Sequence, residues 1–219
     1  MIKCQSCQRD QPPRLLCVQC GAPLGAALDL FAALGLPRKL TLDPARLEQV
    51  YHDLGRRIHP DRFATKSIRL RDASLRGTAL LTRAYRTLRD PISRGLYWLE
   101  LNGHKLGDNN KSVPVDLAEM VFEVQEQLAD LRAARDDSDA AVERLRETMD
   151  ERRTELIRMI DDAHRELAQN FARWDTHDDA NGADRDALVM ELKTVLSKIA
   201  YLRTLIRDIA RELDSAQAA

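Results

Sequence analysis

The chain has 219 residues, of which 44% are hydrophobic and 5% aromatic, and a formal net charge of −1 at pH 7. This composition is typical of a globular protein with aliphatic cores. No stretch approaches roughly eighteen uninterrupted apolar residues, and the N-terminus carries neither an apolar cleavable signal nor a transit-type segment. We therefore expect a soluble cytoplasmic protein, or a mitochondrial matrix protein if the chain is eukaryotic and processed.

The charged residues are distributed unevenly along the chain. Residues 28–106 contain 15 Lys and Arg against 8 Asp and Glu, a balance of +7, whereas residues 113–219 contain 15 against 25, a balance of −10. Such asymmetry predicts different partners for the two halves, with two ordinary solvated helical surfaces as the alternative. We expect three domains, over residues 1–27, 28–106 and 113–219.

The first 27 residues contain two C-x2-C pairs nine residues apart. The four cysteines are Cys4, Cys7, Cys17 and Cys20. Tetrahedral zinc takes four thiolates at about 2.3 Å, and two C-x2-C turns supply two sulfurs each. Because so short a segment cannot bury a core of its own, metal binding would provide most of its folding free energy. We predict a structural zinc site in this segment, which we call the four-cysteine module.

Four cysteines with this spacing have three alternatives to a zinc site. Iron in a thiolate cage fits the same spacing, so the sequence does not separate it from zinc. A pair of disulfides is less favoured because nothing indicates export. A thioredoxin-like redox centre would need a βαβ setting that these proline- and glutamine-bearing turns lack.

Downstream of a short helix over residues 29–35, an amphipathic helix is predicted to end at a proline. Its apolar stripe consists of Leu47, Val50, Tyr51, Leu54 and Ile58. Asp43 is placed to cap it and Pro44 suits its first turn. Pro60 disfavours helical backbone in the residue before it, so we expect the helix to end at Ile58 or His59. His59-Pro60-Asp61 should then form an exposed loop, the HPD loop, near Arg56, Arg57 and Arg62.

Two more helices complete the basic half. A long one is predicted from about Ser67 to Asp90, with Gly77, Leu81, Ala84 and Leu88 on one face. A shorter one should begin at Asp90-Pro91 and end at Asn102-Gly103, because glycine suits the left-handed position after a helix. Its stripe is predicted to be Ile92, Leu96 and Leu99.

This order of helices around an HPD loop resembles a J-domain. The chain also resembles the HscB/Jac-type co-chaperones of iron-sulfur cluster assembly, in the stretches DLFAALGLP (29–37), HPDRF (59–63) and TRAYRTLRDPISRGLYWLELNG (82–103). By that resemblance, a DnaK-type, HscA-like chaperone would bind His59, Pro60 and Asp61, with electrostatic contacts from Arg56, Arg57 and Arg62, and its ATPase would be stimulated. Some members carry an N-terminal zinc module. His52, Asp53 and Ile58 depart from general J-domains, which favours a dedicated chaperone.

Beyond residue 115 the pattern changes to sustained heptads. Helical stripes are predicted at Leu117, Val121, Val124, Leu128 and Leu131, then from Val142 to Trp174, then from Leu188 to Leu213. Pro114 and Asp116 should lie near the start of the first helix and Ser138 near the start of the second. Three such helices with short connections predict an antiparallel three-helix bundle. The predicted fold class is therefore all-α: four-cysteine module, J-domain, bundle.

Several residues of the bundle lie off these stripes. They are Ala118, Phe122, Glu123, Glu126 and Tyr201. If exposed, the two aromatic side chains would form an apolar patch with an acidic rim. The HscB resemblance implies that this patch binds the IscU-type iron-sulfur scaffold protein. The alternative is that Phe122 and Tyr201 belong to a wide buried stripe. Glu119 stands where the family favours an apolar residue, which would make the patch smaller.

The remaining patterns weigh against other functions. We find no phosphate-binding glycine loop, activated serine or paired-carboxylate motif, so the chain is not expected to be an enzyme; His59 and Asp61 as an acid and base would lack a pocket. A zinc-containing nucleic-acid-binding protein that uses the basic helices is the other alternative. It is disfavoured because no recognised reader motif appears and exposed aromatics do not alternate with the cations.

Overall fold

The computed structural model describes residues 1–106, 117–133, 139–177 and 182–217. The described helices are α1 (Leu30–Leu34), α2 (Pro44–Ile58), α3 (Ile68–Arg89), α4 (Pro91–Leu101), α5 (Ala118–Ala133), α6 (Asp139–Thr176) and α7 (Gly182–Gln217). The predicted all-α fold class is confirmed. The chain divides into two compact units, Met1–Trp98 and Leu99–Ala219. No helix among the described residues combines the length and the apolar character needed to cross a membrane.

A two-stranded hairpin opens the first unit. Strands β1 (Ile2–Lys3) and β2 (Asp10–Gln11) pair antiparallel, with Ile2 opposite Gln11. The first C-x2-C turn lies between these strands. A second hairpin-like contact, a bridge between Leu16 and Pro23, encloses the second turn. Each cysteine pair is thus held at the tip of a short extended segment.

The boundaries of α1 and α2 follow local capping chemistry. Asp29 accepts a hydrogen bond from the Ala32 N–H at 2.8 Å, and Asp43 accepts one from the Ala45 N–H at 2.9 Å. Helix α1 ends at Gly35, whose φ of 67° is the left-handed conformation that glycine adopts without steric cost. These caps confirm the predicted helix starts, because the signals are local in sequence.

Helices α1 to α3 enclose the core of the first unit. Its fully buried side chains include Phe31, Leu34, Leu47, Ile58, Leu81 and Leu88. Tyr51 of α2 stacks on Tyr85 of α3 with ring centroids 4.2 Å apart and planes within 11° of parallel. This aromatic pair joins the antiparallel helices that flank the HPD loop.

Helix α4 differs in one respect from its predicted stripe. Leu96 is 40% exposed, whereas Trp98 is buried and meets the Phe31 ring edge-on at a centroid distance of 5.7 Å. Arg94, one turn before Trp98, is buried too and donates to the Leu88 carbonyl. The buried face therefore runs through Arg94 and Trp98. An arginine with a backbone acceptor and a wide aromatic ring replace the expected leucine.

The second unit contains the predicted three-helix bundle. Residues of all three helices share one apolar core: Leu117, Val124, Leu128 and Leu131 before and within α5, Met149 and Leu156 of α6, and Leu202, Leu205 and Ile209 of α7. At about 1.5 Å per residue, α5 is about 24 Å long and α6 about 57 Å. Helix α5 therefore packs along one part of the α6–α7 pair. Pro114, Asp116 and Ser138 lie outside the described residues.

Candidate functional site

The four cysteines converge at one point, as the spacing predicts. The Sγ atoms of Cys4, Cys7, Cys17 and Cys20 all lie within 4.8 Å of one another. Cys4 Sγ and Cys20 Sγ are 3.6 Å apart, and Cys7 Sγ and Cys17 Sγ 3.7 Å. A tetrahedron with metal–sulfur bonds of about 2.3 Å has sulfur–sulfur edges of about 3.8 Å, whereas a disulfide bond is about 2.05 Å long. The donor set and its spacing fit a metal ion, and the thiols are not paired as disulfides.

The two C-x2-C turns repeat the same backbone geometry. The N–H of Gln8 donates to the Cys4 carbonyl at 2.9 Å, and the N–H of Gly21 donates to the Cys17 carbonyl at 3.0 Å. Both residues have positive φ, 61° at Gln8 and 73° at Gly21. The glycine after the second pair predicts this conformation from the sequence, because glycine adopts positive φ readily, but the glutamine after the first pair does not.

The pKa values of the two thiols in the second C-x2-C turn are shifted in opposite directions. The backbone N–H of Cys20, helped by the Gln11 side chain and the Gln19 N–H, lowers the pKa of the Cys17 thiol to about 6 despite burial. The Ala22 N–H lowers the pKa of the Cys20 thiol, but burial and the thiols of Cys17, Cys4 and Cys7 raise it by more, to about 12. A divalent cation would favour the thiolate form of all four ligands.

Gln11 supports the cysteine cluster, and sequence reasoning missed it. Its side chain is buried, and its Oε1 accepts a hydrogen bond from the Val18 N–H at 3.1 Å. This bond ties the end of β2 to the second C-x2-C turn. A polar residue in a nine-residue spacer carries no signal of burial, so only the folded chain identifies it.

The HPD loop is exposed and held from both sides. The side chains of His59 and Asp61 are 57% and 89% exposed, while Ile58 before them and Phe63 after them are buried. The segment differs from the expected open loop because Pro60–Phe63 forms a 3₁₀ turn. Proline suits the first position of such a turn, since its φ is fixed near the helical value and the missing N–H is not needed there.

Hydrogen bonds within the turn fix its shape. The Arg62 N–H donates to the His59 carbonyl at 3.0 Å, and the Ala64 N–H donates to the Asp61 carbonyl at 3.3 Å. His59 Nδ1 lies 3.4 Å from the Asp61 backbone nitrogen and 3.3 Å from Asp61 Oδ2. The imidazole and the carboxylate therefore project to solvent as neighbouring polar groups on a short rigid turn.

The three predicted arginines surround the loop but differ in their partners. Arg56 is already paired with Asp53, one turn earlier on α2. Among the residues that the structure describes, Arg57 and Arg62 form no ion pair, and both are exposed. Of these three arginines, Arg57 and Arg62 are therefore the ones whose charge no described carboxylate pairs.

The predicted patch on the bundle is only partly assembled. Phe122 is 71% exposed on α5, and Ala118 and Glu126 lie one turn before and after it on the same ridge, both exposed. Tyr201 instead packs against the bundle core. Glu123 accepts a hydrogen bond from Arg152 at 2.8 Å, which offsets part of the expected acidic rim. Phe122 is the apolar centre of what remains.

The chain is similar in sequence to co-chaperones. It is 36% identical over 139 residues to a "Co-chaperone protein HscB homolog" of Aromatoleum aromaticum, a match over 62% of this chain and 78% of that protein. It is 38% identical over 108 residues to the protein of the same name from Bordetella pertussis, over 49% of this chain and 64% of that one. No family model matches the chain.

Two solved structures have a similar fold. The human co-chaperone protein HscB aligns with a TM-score of 0.62 and 24% identity, over 96% of this chain and 98% of that one. The chaperone HscB from Vibrio cholerae aligns with a TM-score of 0.57 and 23% identity, over 86% of this chain and 99% of that one. At this level of identity the likeness concerns the fold.

Proposed function

The chain belongs to the HscB family of co-chaperones, and we propose that it is a J-type co-chaperone of iron-sulfur cluster assembly that brings an IscU-type scaffold protein to a DnaK-type, HscA-like chaperone and stimulates the chaperone's ATPase. The proposal is supported chiefly by the exposure of the HPD loop. Its His59 and Asp61 side chains are exposed on a turn whose two ends, at Ile58 and Phe63, are buried.

A rigid exposed turn suits docking better than catalysis. Because the backbone is already ordered by the bonds to the His59 and Asp61 carbonyls, a partner that binds the turn loses little further conformational entropy. Arg57 and Arg62 beside it, which have no ion-pair partner in the described part of the chain, would steer encounter with an acidic surface of the chaperone. His59, Pro60 and Asp61 would make the central contacts, and Arg56, Arg57 and Arg62 the electrostatic ones.

The bundle would hold the scaffold protein. An exposed phenylalanine on a polar helix face is an apolar anchor of the kind found at interface centres. Phe122 has this character, and Ala118 leaves room beside it for a partner side chain. We propose that Ala118, Phe122 and Glu126 form the primary contact, with Glu123 and Tyr201 at its margin.

Zinc is the metal that we propose for the four-cysteine module. Cys4, Cys7, Cys17 and Cys20 would hold it as a closed four-thiolate site, which leaves no position for substrate and so serves structure. Iron would be held by the same ligands. When bound, the ion supplies the folding free energy that so small a segment lacks.

No chemical step is assigned to this chain. ATP would be hydrolysed by the chaperone, and the cluster carried by the scaffold, so the protein would act by bringing two partners together. The proposed place of action is the compartment that contains both partners, the cytoplasm of a bacterium or the mitochondrial matrix of a eukaryote.

A pair of histidine variants tests the chaperone contact. His52 and His59 have almost equally exposed side chains, 59% and 57%, but only His59 belongs to the HPD loop. At a co-chaperone concentration well below saturation, we expect His59→Gln to lower ATPase stimulation of a DnaK-type chaperone by about tenfold or more, which corresponds to about 1.4 kcal/mol or more of lost binding. His52→Gln should stimulate normally. Full stimulation by a folded His59→Gln variant would contradict the proposal.

A further inference from the structure

One stripe of α3 carries the four-cysteine module. Leu70 packs against the cluster that contains Cys4 and Cys17. A Cβ atom placed on Gly25, which follows the module's second cysteine pair, would lie 3.7 Å from the Cβ of Ala73, and one placed on Gly77 would lie 3.4 Å from Cδ1 of Leu15. Leu70, Ala73 and Gly77 are spaced by three and four residues, so they lie on one face of the helix. The module therefore packs against the first half of α3.

The same part of α3 holds the last residue of α2. Ser74, which is completely buried, donates a hydrogen bond from its Oγ to the Ile58 carbonyl at 2.5 Å. The last carbonyls of a helix have no partner within the helix, and Ser74 supplies one here. A Cβ on Gly77 would lie 2.3 Å from Cδ1 of Ile58. Ile58 therefore packs directly on the Gly77 backbone, where only glycine leaves room.

Ile58 is the residue immediately before His59. Its side chain and its carbonyl are both fixed by α3, and Leu15 packs over the same glycine. The direction in which the chain leaves α2, and hence the position of the imidazole, depends on this arrangement. We infer that Ser74, Gly77 and Leu15, which we call the clamp, are positioning residues of the HPD loop, and that the four-cysteine module helps to hold the loop through Leu15. The inference rests on the proposed function of the loop as the chaperone contact.

Leu15 is in turn held by backbone hydrogen bonds that surround the second C-x2-C turn. It precedes Cys17 by two residues, its carbonyl accepts a hydrogen bond from the Leu24 N–H at 3.1 Å, and the Cys17 N–H donates to the Ala22 carbonyl at 2.8 Å. These bonds close the extended segment around the second C-x2-C turn. Since the metal would stabilise that turn, its removal should release Leu15 and loosen the loop.

Hydrogen exchange of the full-length, zinc-loaded chain tests the clamp without any partner. The amides of Arg62 and Ala64 report on the loop because they donate to the His59 and Asp61 carbonyls. We expect Leu15→Ala to speed exchange of these two amides by about tenfold, since truncation of a buried leucine leaves a cavity. Leu15→Met, which keeps the volume, should restore slow exchange. Val18→Ala, an exposed position of the same module, is the matched control.

Ser74→Ala provides a second, independent variant. It leaves the Ile58 carbonyl buried without its donor, so the loop amides should exchange faster while amides near the middle of α3, around Leu81, stay protected. Faster exchange throughout α3 would instead indicate general destabilisation and would overturn the positioning role. Unchanged loop exchange in folded Leu15→Ala or Ser74→Ala protein would overturn it as well. If Leu15→Ala does not fold, Ser74→Ala decides.

The ATPase assay then connects the clamp to function. Leu15→Ala and Ser74→Ala should raise the co-chaperone concentration needed for half-maximal stimulation by about tenfold and leave the maximal rate near that of the wild type. If the wild type stimulates no DnaK-type chaperone, the proposed function fails. Hydrogen exchange still tests the clamp in that case, because it needs no partner. If the wild type stimulates and both variants match it, the clamp inference fails and the proposed function stands.

Discussion

Gln8 and Gly21 occupy the same place in the two C-x2-C turns and share a left-handed backbone, with φ of 61° and 73°. A side chain in this conformation costs about 1–2 kcal/mol. Gly21→Ala should therefore weaken metal retention by roughly fivefold to thirtyfold in competition with a chelator, since an added Cβ meets no other atom within 4 Å and only backbone strain contributes. Gln8→Ala, which adds no such strain, is the control. Equal retention by both variants would exclude this explanation.

Asp29 is expected to stabilise the first unit in a pH-dependent way. Burial raises the pKa of its carboxyl, but the Ala32 N–H and Arg38 lower it by more, so the pKa lies below 3.8. A carboxylate whose pKa is lowered by folding contributes fully above the unfolded value and loses its contribution as the pH falls through the folded value. Asp29→Ala should cost about 1 kcal/mol at pH 7, measured by denaturant unfolding.

Asp29→Asn separates the cap from the charge. Asparagine still accepts the hydrogen bond of the N-terminal cap, so this variant should lose less stability than Asp29→Ala at pH 7. Its difference from the wild type should disappear as the pH is lowered below about 3.8. A difference that persists unchanged in acid would show that the charge is not responsible.

Arg57 should contribute more to chaperone docking than Arg56. The Arg56 guanidinium is engaged by Asp53, whereas Arg57 forms no ion pair among the described residues. Arg57→Ala should raise the half-maximal concentration for ATPase stimulation several-fold and reduce its salt dependence, because an exposed charge acts mainly on the association rate. Arg56→Ala should have a smaller effect. A larger effect of Arg56→Ala than of Arg57→Ala would contradict this interpretation of the arginines around the HPD loop.

Phe122 should be required for binding of the scaffold protein but not for folding. Because it is 71% exposed, Phe122→Ala should change the free energy of unfolding by less than about 0.5 kcal/mol, yet lower scaffold affinity by tenfold or more if it is an interface anchor, about 1.4 kcal/mol. Calorimetric titration would measure this. Ile157→Ala, an exposed apolar position on α6, is the matched control. Unchanged affinity in Phe122→Ala would show that this residue does not contribute to the proposed scaffold contact.

Structural features that depend only on neighbouring residues were predictable from the sequence. The cap and proline at Asp43 and Pro44, the stop at Pro60, the left-handed Gly103 and the two C-x2-C pairs all act within a few positions of the chain. Their physical effects are local, so pattern alone locates them. The heptad stripes predicted the bundle for the same reason, since burial repeats with the helix period.

Features that depend on contacts between distant residues were not predictable. The Ser74 hydroxyl meets the Ile58 carbonyl sixteen residues away, and Arg152 reaches Glu123 across twenty-nine. The residues next to Ser74 or Glu123 in the sequence do not predict these hydrogen-bond partners. Tyr201 was predicted at the patch from its offset along the heptad, but a globular helix buries a wider stripe than two positions per heptad.

The proposed function requires one chain to bind both partners, and complementation between two variants tests this requirement. By the proposed function, His59→Gln would lose the chaperone contact and keep the scaffold contact, and Phe122→Ala would do the reverse. In an ATPase assay that contains chaperone and scaffold, wild-type chain should give a synergistic rise in rate, and an equimolar mixture of the two variants should not restore it. Full synergy from the mixture would show that the two sites need not lie on the same molecule, which contradicts delivery by a single chain.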